Sequence, residues 1–247
     1  MIFKENLKER KSTTSTEEVW LKSYKQSISK ISSNILIEAP FVYMDRRLVS
    51  QMLTRIELFK LISDVQGSIV ECGVHRANSL FLYYHLSSIF EPYAFTRKII
   101  GFDTFEGFPS ISSLDPDEVV VGHMRDTNYE SILEWINIQD CNRPLGHIEK
   151  LELVQGDALV KIDEYLNLNP HLIIALLYLD FDIYEPTKVA LEKLFPLIPK
   201  GGVIGFDELN QKKWKGETIA FKEVLGTHNF KLKKFSFDPH VTYFVKE

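Results

Sequence analysis

The chain has 247 residues, 45% of them hydrophobic and 26% charged, which is the make-up of an ordinary globular protein, long enough for one large α/β domain or for a domain with an appended arm. A net charge of -5 gives no basic footprint for nucleic acid, and the lysine-rich stretches at residues 4–11 and 231–234 read as solvated faces. No apolar run approaches the roughly 18 residues that span a bilayer, and the basic N-terminus has no apolar core behind it as a secretory signal would, so a cytoplasmic protein with no membrane or nucleic-acid partner is expected.

Residues 1–63 read as a helical arm. Ser15 and Glu18 have capping-box spacing, and Val19, Trp20, Tyr24, Ile28 and Ile31 follow at helical intervals. Ala39-Pro40 closes that segment. A second amphipathic helix over residues 46–62 carries Leu48, Met52, Ile56, Leu58 and Phe59 on its apolar face. From residue 64 to 247 the pattern changes to strands alternating with helices. Strands are predicted at 68–73, 98–103, 151–154, 172–179 and 202–206. Helices are predicted at 78–90, 129–138, 185–195 and 217–225, with Pro186 in a first turn, where proline is tolerated, and 163–168 reads as part of another. The loop at 107–125 is long and rich in Pro, Ser, Asp and Gly, and loops of that length inside a compact domain are often functional. Residues 230–237 and 241–246 alternate like an antiparallel pair joined by Asp238-Pro239-His240. Cys72 and Cys141 lack metal-finger spacing and read as reduced thiols. The expected architecture is a doubly wound seven-stranded sheet, mostly parallel, with an antiparallel C-terminal hairpin and a helical N-terminal arm.

Chemistry is expected at the strand ends. The apolar run 172–179 leads into Asp180, and the strand at 202–206 leads into Asp207-Glu208. Carboxylates are rarely buried without compensation, and a divalent cation compensates three converging acids. The carboxyl ends of parallel strands are where an open α/β sheet binds its ligands. The first strand ends Glu71-Cys72-Gly73-Val74-His75-Arg76-Ala77, which is not the glycine-rich turn that lets backbone approach a pyrophosphate. A nucleotide-sugar oxidoreductase using NAD(P) is therefore disfavoured. Glu71 is a poor neighbour for phosphate and a good one for S-adenosylmethionine, which carries an ammonium and a sulfonium. Asp103 ends the second strand, placed to accept from two ribose hydroxyls, and Asp157 follows Gly156 near the position of an adenine edge. His123 lies in the long loop, and histidine is the side chain suited to act as a base near neutral pH.

Two strings resemble a known family. Gly101-Phe102-Asp103-Thr104-Phe105-Glu106-Gly107-Phe108-Pro109 and Asp180-Phe181-Asp182-Ile183-Tyr184-Glu185-Pro186-Thr187, followed by Gly201-Gly202-Val203-Ile204 and Asp207-Glu208, are similar to the signatures of the macrocin-type (TylF-like) sugar O-methyltransferases. The similarity covers about residues 65–225. It implies a class I methyltransferase (Rossmann-like) fold with S-adenosylmethionine at Glu71, Gly73, Asp103 and Asp157, together with the neighbouring Ser79, Thr104, Phe105 and Ala158. It implies magnesium at Asp180, Asp207 and Glu208, and a sugar or nucleotide-sugar hydroxyl as methyl acceptor. It also implies a homo-oligomer whose N-terminal arms help close the site. Asp180 and His123 are the expected catalytic residues, and Asp182 and Tyr184 the expected sugar contacts; Trp214 is a further ring able to stack on a sugar. Two positions depart from the family pattern. Ala77 stands where glycine is common, and Ile183 occupies the place of the lysine base of related catechol-type enzymes. The acceptor is read as a nucleotide-activated sugar for surface polysaccharide or a natural-product deoxysugar. A catalytically silent partner subunit is the alternative, against which the intact acids argue.

Overall fold

The computed structural model describes residues 14–247; the basic stretch at 4–11 and the start of the N-terminal segment lie outside them. The chain divides into two compact units, one ending at Val49 and one running from Ser50 to Glu247. The first contains α1 (Ser15–Ile28), α2 (Ser33–Glu38) and α3 (Pro40–Tyr43). The capping box of α1 sits one residue earlier than the sequence pattern suggests. Thr14, in extended conformation, accepts from the Glu17 N–H at 3.3 Å, and the Glu17 carboxylate accepts from the Thr14 N–H at 3.0 Å. Ser15 is already helical and cannot serve as the cap. Tyr24 donates to the Tyr43 carbonyl at 2.7 Å, yet none of the three helices fully buries a residue.

The division falls inside α4 (Arg46–Leu61), whose buried residues are Thr54, Arg55, Leu58 and Phe59. Ile56, partly buried, packs against the same cluster, and the fully buried stripe includes two polar side chains, Thr54 and Arg55. After it come β1 (Ser68–Cys72), α5 (Asn78–Phe90), β2 (Ile99–Asp103), α6 (Tyr129–Asp140), β3 (Leu151–Gln155), α7 (Ala158–Leu168), β4 (Ile174–Leu179), α8 (Tyr184–Leu194), β5 (Val203–Phe206), α9 (Lys215–Val224), β6 (Lys233–Phe235) and β7 (Asp238–Val245). The sheet order is β3-β2-β1-β4-β5-β7-β6. Strands β1 to β5 pair in parallel, and β7 is antiparallel to both β5 and β6. The expected fold class is therefore the observed one.

Because successive strand residues face opposite sides, the parallel strands feed two cores. Val70, Cys72, Ile100, Phe102, Leu177 and Leu179 pack with α7, α8 and α9. Ile69, Ile99, Leu176 and Tyr178 pack with α4, α5 and α6. Strands buried on both faces show continuous apolar runs, which is why β4 is so legible in the sequence.

Two boundaries differ from expectation for identifiable reasons. Helix α7, of which the sequence pattern marks out only 163–168, begins at Ala158, because the Asp157 side chain caps it, accepting from the Leu159 N–H at 3.0 Å. The C-terminal turn is not Asp238-Pro239-His240. Phe235 pairs with Asp238, so Ser236-Phe237 form the turn and the Asp-Pro-His string lies within β7. Asp238 is only 3% exposed, and its carboxylate accepts from Thr54 Oγ1 at 2.6 Å and from the His240 N–H at 3.1 Å. A turn-forming sequence is here held in a strand by a buried hydrogen bond to α4.

Candidate active site

Past the last residue of each strand the ladder continues for one more bond. The Gly73 N–H donates to Phe102 O at 2.9 Å, Asp180 N–H to Cys72 O at 2.8 Å, Asp207 N–H to Leu179 O at 3.1 Å and Gly156 N–H to Asp103 O at 2.9 Å. These bonds hold Gly73, Asp103, Gly156, Asp180 and Asp207 along one edge of the sheet. The strand order reverses between β1 and β4, and that switch point is where such a sheet opens a crevice. Gly73 stands at the crevice with φ 91°, and a Cβ there would lie 2.0 Å from the Asp180 carbonyl oxygen. The two strand ends approach closely only because this residue has no side chain.

On the β1–β2–β3 side, Asp103 organises the backbone. Its Oδ2 accepts from the Val74 and His75 N–H groups, both at 2.7 Å, and its Oδ1 from the Phe105 N–H at 2.7 Å. Ala77 is left-handed at φ 61° and is the N-cap residue of α5, so the turn keeps a glycine-type conformation at an alanine. The Thr104 hydroxyl donates to Gly107 O at 2.6 Å and accepts from the Glu106 N–H at 3.1 Å. Phe105 is buried against Tyr129, with ring centroids 4.9 Å apart. Asp157 is the cap of α7, and Ala158 is buried behind it. Glu71 faces the α4–α5 core and is 1% exposed. Burial raises its carboxyl to about 8, against the opposing effects of the Arg55 charge and a hydrogen bond with Ser79.

The β4–β5 side gathers acids. Burial, then the charges of Asp207 and Asp182, hold the Asp180 carboxyl well above the usual carboxylate range. Asp182, left-handed at φ 63°, is raised to about 7 by burial and by Asp207. Asp207 Oδ1 accepts from the Tyr178 hydroxyl at 2.6 Å and from Arg55 Nη2 at 3.5 Å. The Glu208 N–H donates to Glu217 Oε1 at 2.9 Å. Glu217 is fully buried, its Oε2 has no hydrogen-bond partner, and burial drives its carboxyl well above normal. Neither Glu217 nor Arg55 was singled out from the sequence. Each sits on an amphipathic helix, where a charged residue ordinarily marks the solvent face.

The loop after β2 is tied down across this edge. Phe108 and residues 122–123 exchange backbone bonds: Gly122 N–H to Phe108 O at 2.9 Å and Phe108 N–H to His123 O at 3.1 Å. The Phe108 ring lies 6.1 Å from that of His123 and 6.4 Å from that of Trp214. Asp115, only 3% exposed, accepts from the Tyr184 N–H at 2.8 Å through Oδ1, and from the Ser112 N–H at 2.7 Å and hydroxyl at 2.8 Å through Oδ2. It thereby pins the loop to the start of α8. A Cβ on Gly216 would lie 2.7 Å from Asp115 Oδ1, so α9 can approach this anchor only with glycine there. Asp115→Ala would leave the buried Tyr184 N–H without its partner and should lower stability by about 2–3 kcal/mol; chemical denaturation measures it. Tyr184 itself is 6% exposed, and its hydroxyl is engaged by Glu223 and by Lys188 Nζ at 3.0 Å. Its ring is committed to the α8–α9 interface.

The residues 45–246 match the family model of macrocin O-methyltransferase (TylF). The chain belongs to this family. As a macrocin-type O-methyltransferase it has close structural likenesses. The crystal structure of CalS11, a calicheamicin methyltransferase, superposes with TM-score 0.87 at 31% identity over 94% of this chain and 93% of that one. An apo structure of CalS11, described as a TDP-rhamnose 3'-O-methyltransferase of calicheamicin biosynthesis, gives 0.81 at 30% identity over 94% and 95%. The O-methyltransferase NovP, at 17% identity and TM-score 0.59 over 81% of this chain and 79% of its own, shares the fold. No curated protein matches the chain. This macrocin-type enzyme, like its family, is an O-methyltransferase.

Among the described residues of the enzyme, no three His, Cys, Asp or Glu side chains are grouped so as to hold a metal ion. The donor chemistry nevertheless fits a hard divalent cation. The acids at 180, 182, 207 and 217 offer carboxylate oxygen, one buried oxygen of Glu217 is unpaired, and Arg55 is the cation whose charge reaches both Asp180 and Asp207. Asp207 Oδ1 is at present turned toward Arg55 and Tyr178.

Proposed function

We propose that this enzyme transfers the methyl group of S-adenosylmethionine to a hydroxyl of a nucleotide-activated deoxysugar, with a magnesium ion at the acid side of the crevice. The observation that carries this reading is the 31% identity over 94% of the chain to a methyltransferase described as acting on TDP-rhamnose. The donor side supports it. A turn with Gly73 and without phosphate-binding glycines, bordered by Glu71 and Asp103, suits a cationic nucleoside more than a dinucleotide. Glu71, Gly73, Ser79, Asp103, Thr104, Phe105, Asp157 and Ala158 are the proposed donor set. A natural-product sugar fits this reading directly, and a nucleotide sugar bound for surface polysaccharide would present the same chemistry.

Asp180, Asp207 and Glu208 are the proposed cation ligands. A bound divalent ion would orient two neighbouring hydroxyls and lower the pKa of the attacking one. The chain's own part is positioning, which can contribute about 7–11 kcal/mol when reacting atoms are held in line. Asp182 is the proposed sugar contact. His123, or Asp180 itself, accepts the hydroxyl proton, with Asp115 holding the loop that carries His123. Tyr184 drops out of the sugar-binding set, since its ring and hydroxyl are already engaged.

Labelled S-adenosylmethionine, a panel of nucleotide sugars and free sugars, and magnesium or EDTA test this together. Labelling of a nucleotide deoxysugar that EDTA abolishes is expected. Labelling insensitive to EDTA would remove the cation, and labelling of free sugars alone would remove the nucleotide. With His123→Ala, loss of the acidic limb of the pH–rate profile is expected; an unchanged profile assigns the proton to Asp180.

A further inference from the structure

Arg55 joins the two halves of the crevice. It leaves α4 and is 5% exposed. Its Nε donates to Ser79 Oγ at 3.2 Å, on the donor side, and its Nη2 to Asp207 Oδ1 at 3.5 Å, on the acid side. Its guanidinium carbon lies 4.3 Å from the centre of the Tyr178 ring, and the Tyr178 hydroxyl donates to the same Asp207 oxygen. The sheet makes this arrangement possible. Glu71, Tyr178 and Gly205 are register partners across β1, β4 and β5, so they form one row on one face. A Cβ on Gly205 would lie 2.8 Å from the Tyr178 ring. The missing side chain lets the ring lean over β5 toward Asp207. Arg Nη1, Glu71 Oε2 and the Tyr83 hydroxyl are all buried and without hydrogen-bond partners, so the network has polar capacity left unused on its donor side.

We propose that Arg55 is a positioning residue that couples occupation of the acid side by a divalent cation to binding of the methyl donor beside Glu71 and Ser79. This rests on the functional reading above. One guanidinium serves acids on both sides of the switch point. A cation that takes over Asp207 and Asp180 removes them from that competition. Arg55 is then released from Asp207, and its fork can close on Ser79 in the first turn of α5 and on the unpaired Oε2 of Glu71. The donor's ammonium therefore meets a better-held carboxylate. Linkage requires the reverse effect to be equal: the donor tightens the cation by the same factor.

The test is calorimetric, with the full chain, S-adenosylhomocysteine as donor analogue and Mg2+ as cation. In the unaltered enzyme, saturating Mg2+ should tighten S-adenosylhomocysteine about tenfold, within the usual range of such couplings, and reciprocally. Arg55→Lys keeps the charge and loses the fork, and its coupling factor should fall below about twofold whatever its absolute affinities. If that variant does not fold, Tyr178→Phe loosens the same link from the Asp207 end and should lower the factor at least about threefold. Both ligands binding the unaltered enzyme with no mutual effect would overturn the coupling while leaving the functional reading intact. An undiminished factor in a folded variant would overturn the role of Arg55. No binding of Mg2+ in any state would overturn the coupling and, with it, the metal in the functional reading.

Discussion

Asp180→Asn should stabilise the protein while costing at least about a hundredfold in methyl transfer. On the proposed reading, the activity loss follows from removing a carboxylate ligand of a cation that would supply several kcal/mol of stabilisation. The stability gain follows from the surroundings. Asp180 is held well above the usual carboxylate range by burial and by its acidic neighbours, so its ionised form is the one the fold disfavours. A group whose folded pKa is raised contributes stability that is fully present below its unfolded value and is lost as pH rises through the folded value. At neutral pH, with EDTA, the neutral asparagine should therefore raise stability by about 1–2 kcal/mol. Near pH 4 the carboxyl is protonated and the gain should shrink toward zero. Magnesium at neutral pH should restore the parent enzyme more than the variant. Thermal unfolding at the two pH values, with and without the ion, reads all three effects. A variant no more stable than its parent at neutral pH would show that the acids are not in conflict.

Gly73→Ala should be severely damaging for a single added methyl group. The new Cβ would meet the Asp180 carbonyl oxygen at 2.0 Å and its carbon at 2.6 Å, at a residue with φ 91°. Neither contact involves a flexible side-chain end, so the ends of β1 and β4 would have to separate. The backbone conformation alone costs an L-residue about 1–2 kcal/mol, and the collision adds to it, for a total on the order of 3–5 kcal/mol. The lost approach is also the floor of the crevice, so binding of S-adenosylhomocysteine should fall by more than about a hundredfold in whatever protein remains folded. Chemical denaturation with calorimetry separates the two losses. Retention of tight binding would mean the donor does not rest on this turn.

Apolar runs revealed the sheet because strands covered on both faces carry them unbroken, and the carboxyl-end acids were legible for the same reason: each interrupts such a run. The resemblance in the segments after β2 and β4 supplied the reaction class, which periodicity could not. What remained hidden has a common cause. Arg55 and Glu217 lie on helices whose charged positions look alike in sequence whether they face solvent or a buried row of acids. Asp115 lies in a loop where aspartate is ordinary, and only the fold brings it to the Tyr184 N–H. The engagement of Tyr184 was hidden for the converse reason, because a tyrosine beside the acid motif looks available until its bonds to Glu223 and Lys188 are seen. The displaced capping box and the displaced C-terminal turn show that local patterns fix an element's presence more firmly than its boundary.

His75, Ala77, Phe105 and Asp182 are all left-handed without being glycine, and each follows the carboxyl end of β1, β2 or β4. Such conformations cost free energy that the packed strands behind them must offset. The molecule is therefore mechanically polarised. Its opening fluctuations should be concentrated at one margin of the sheet, while the strands themselves exchange their amide hydrogens only on global unfolding. The margin proposed to bind the donor and the cation is then the one that opens first, and ligands bound there would add to the stability of that margin.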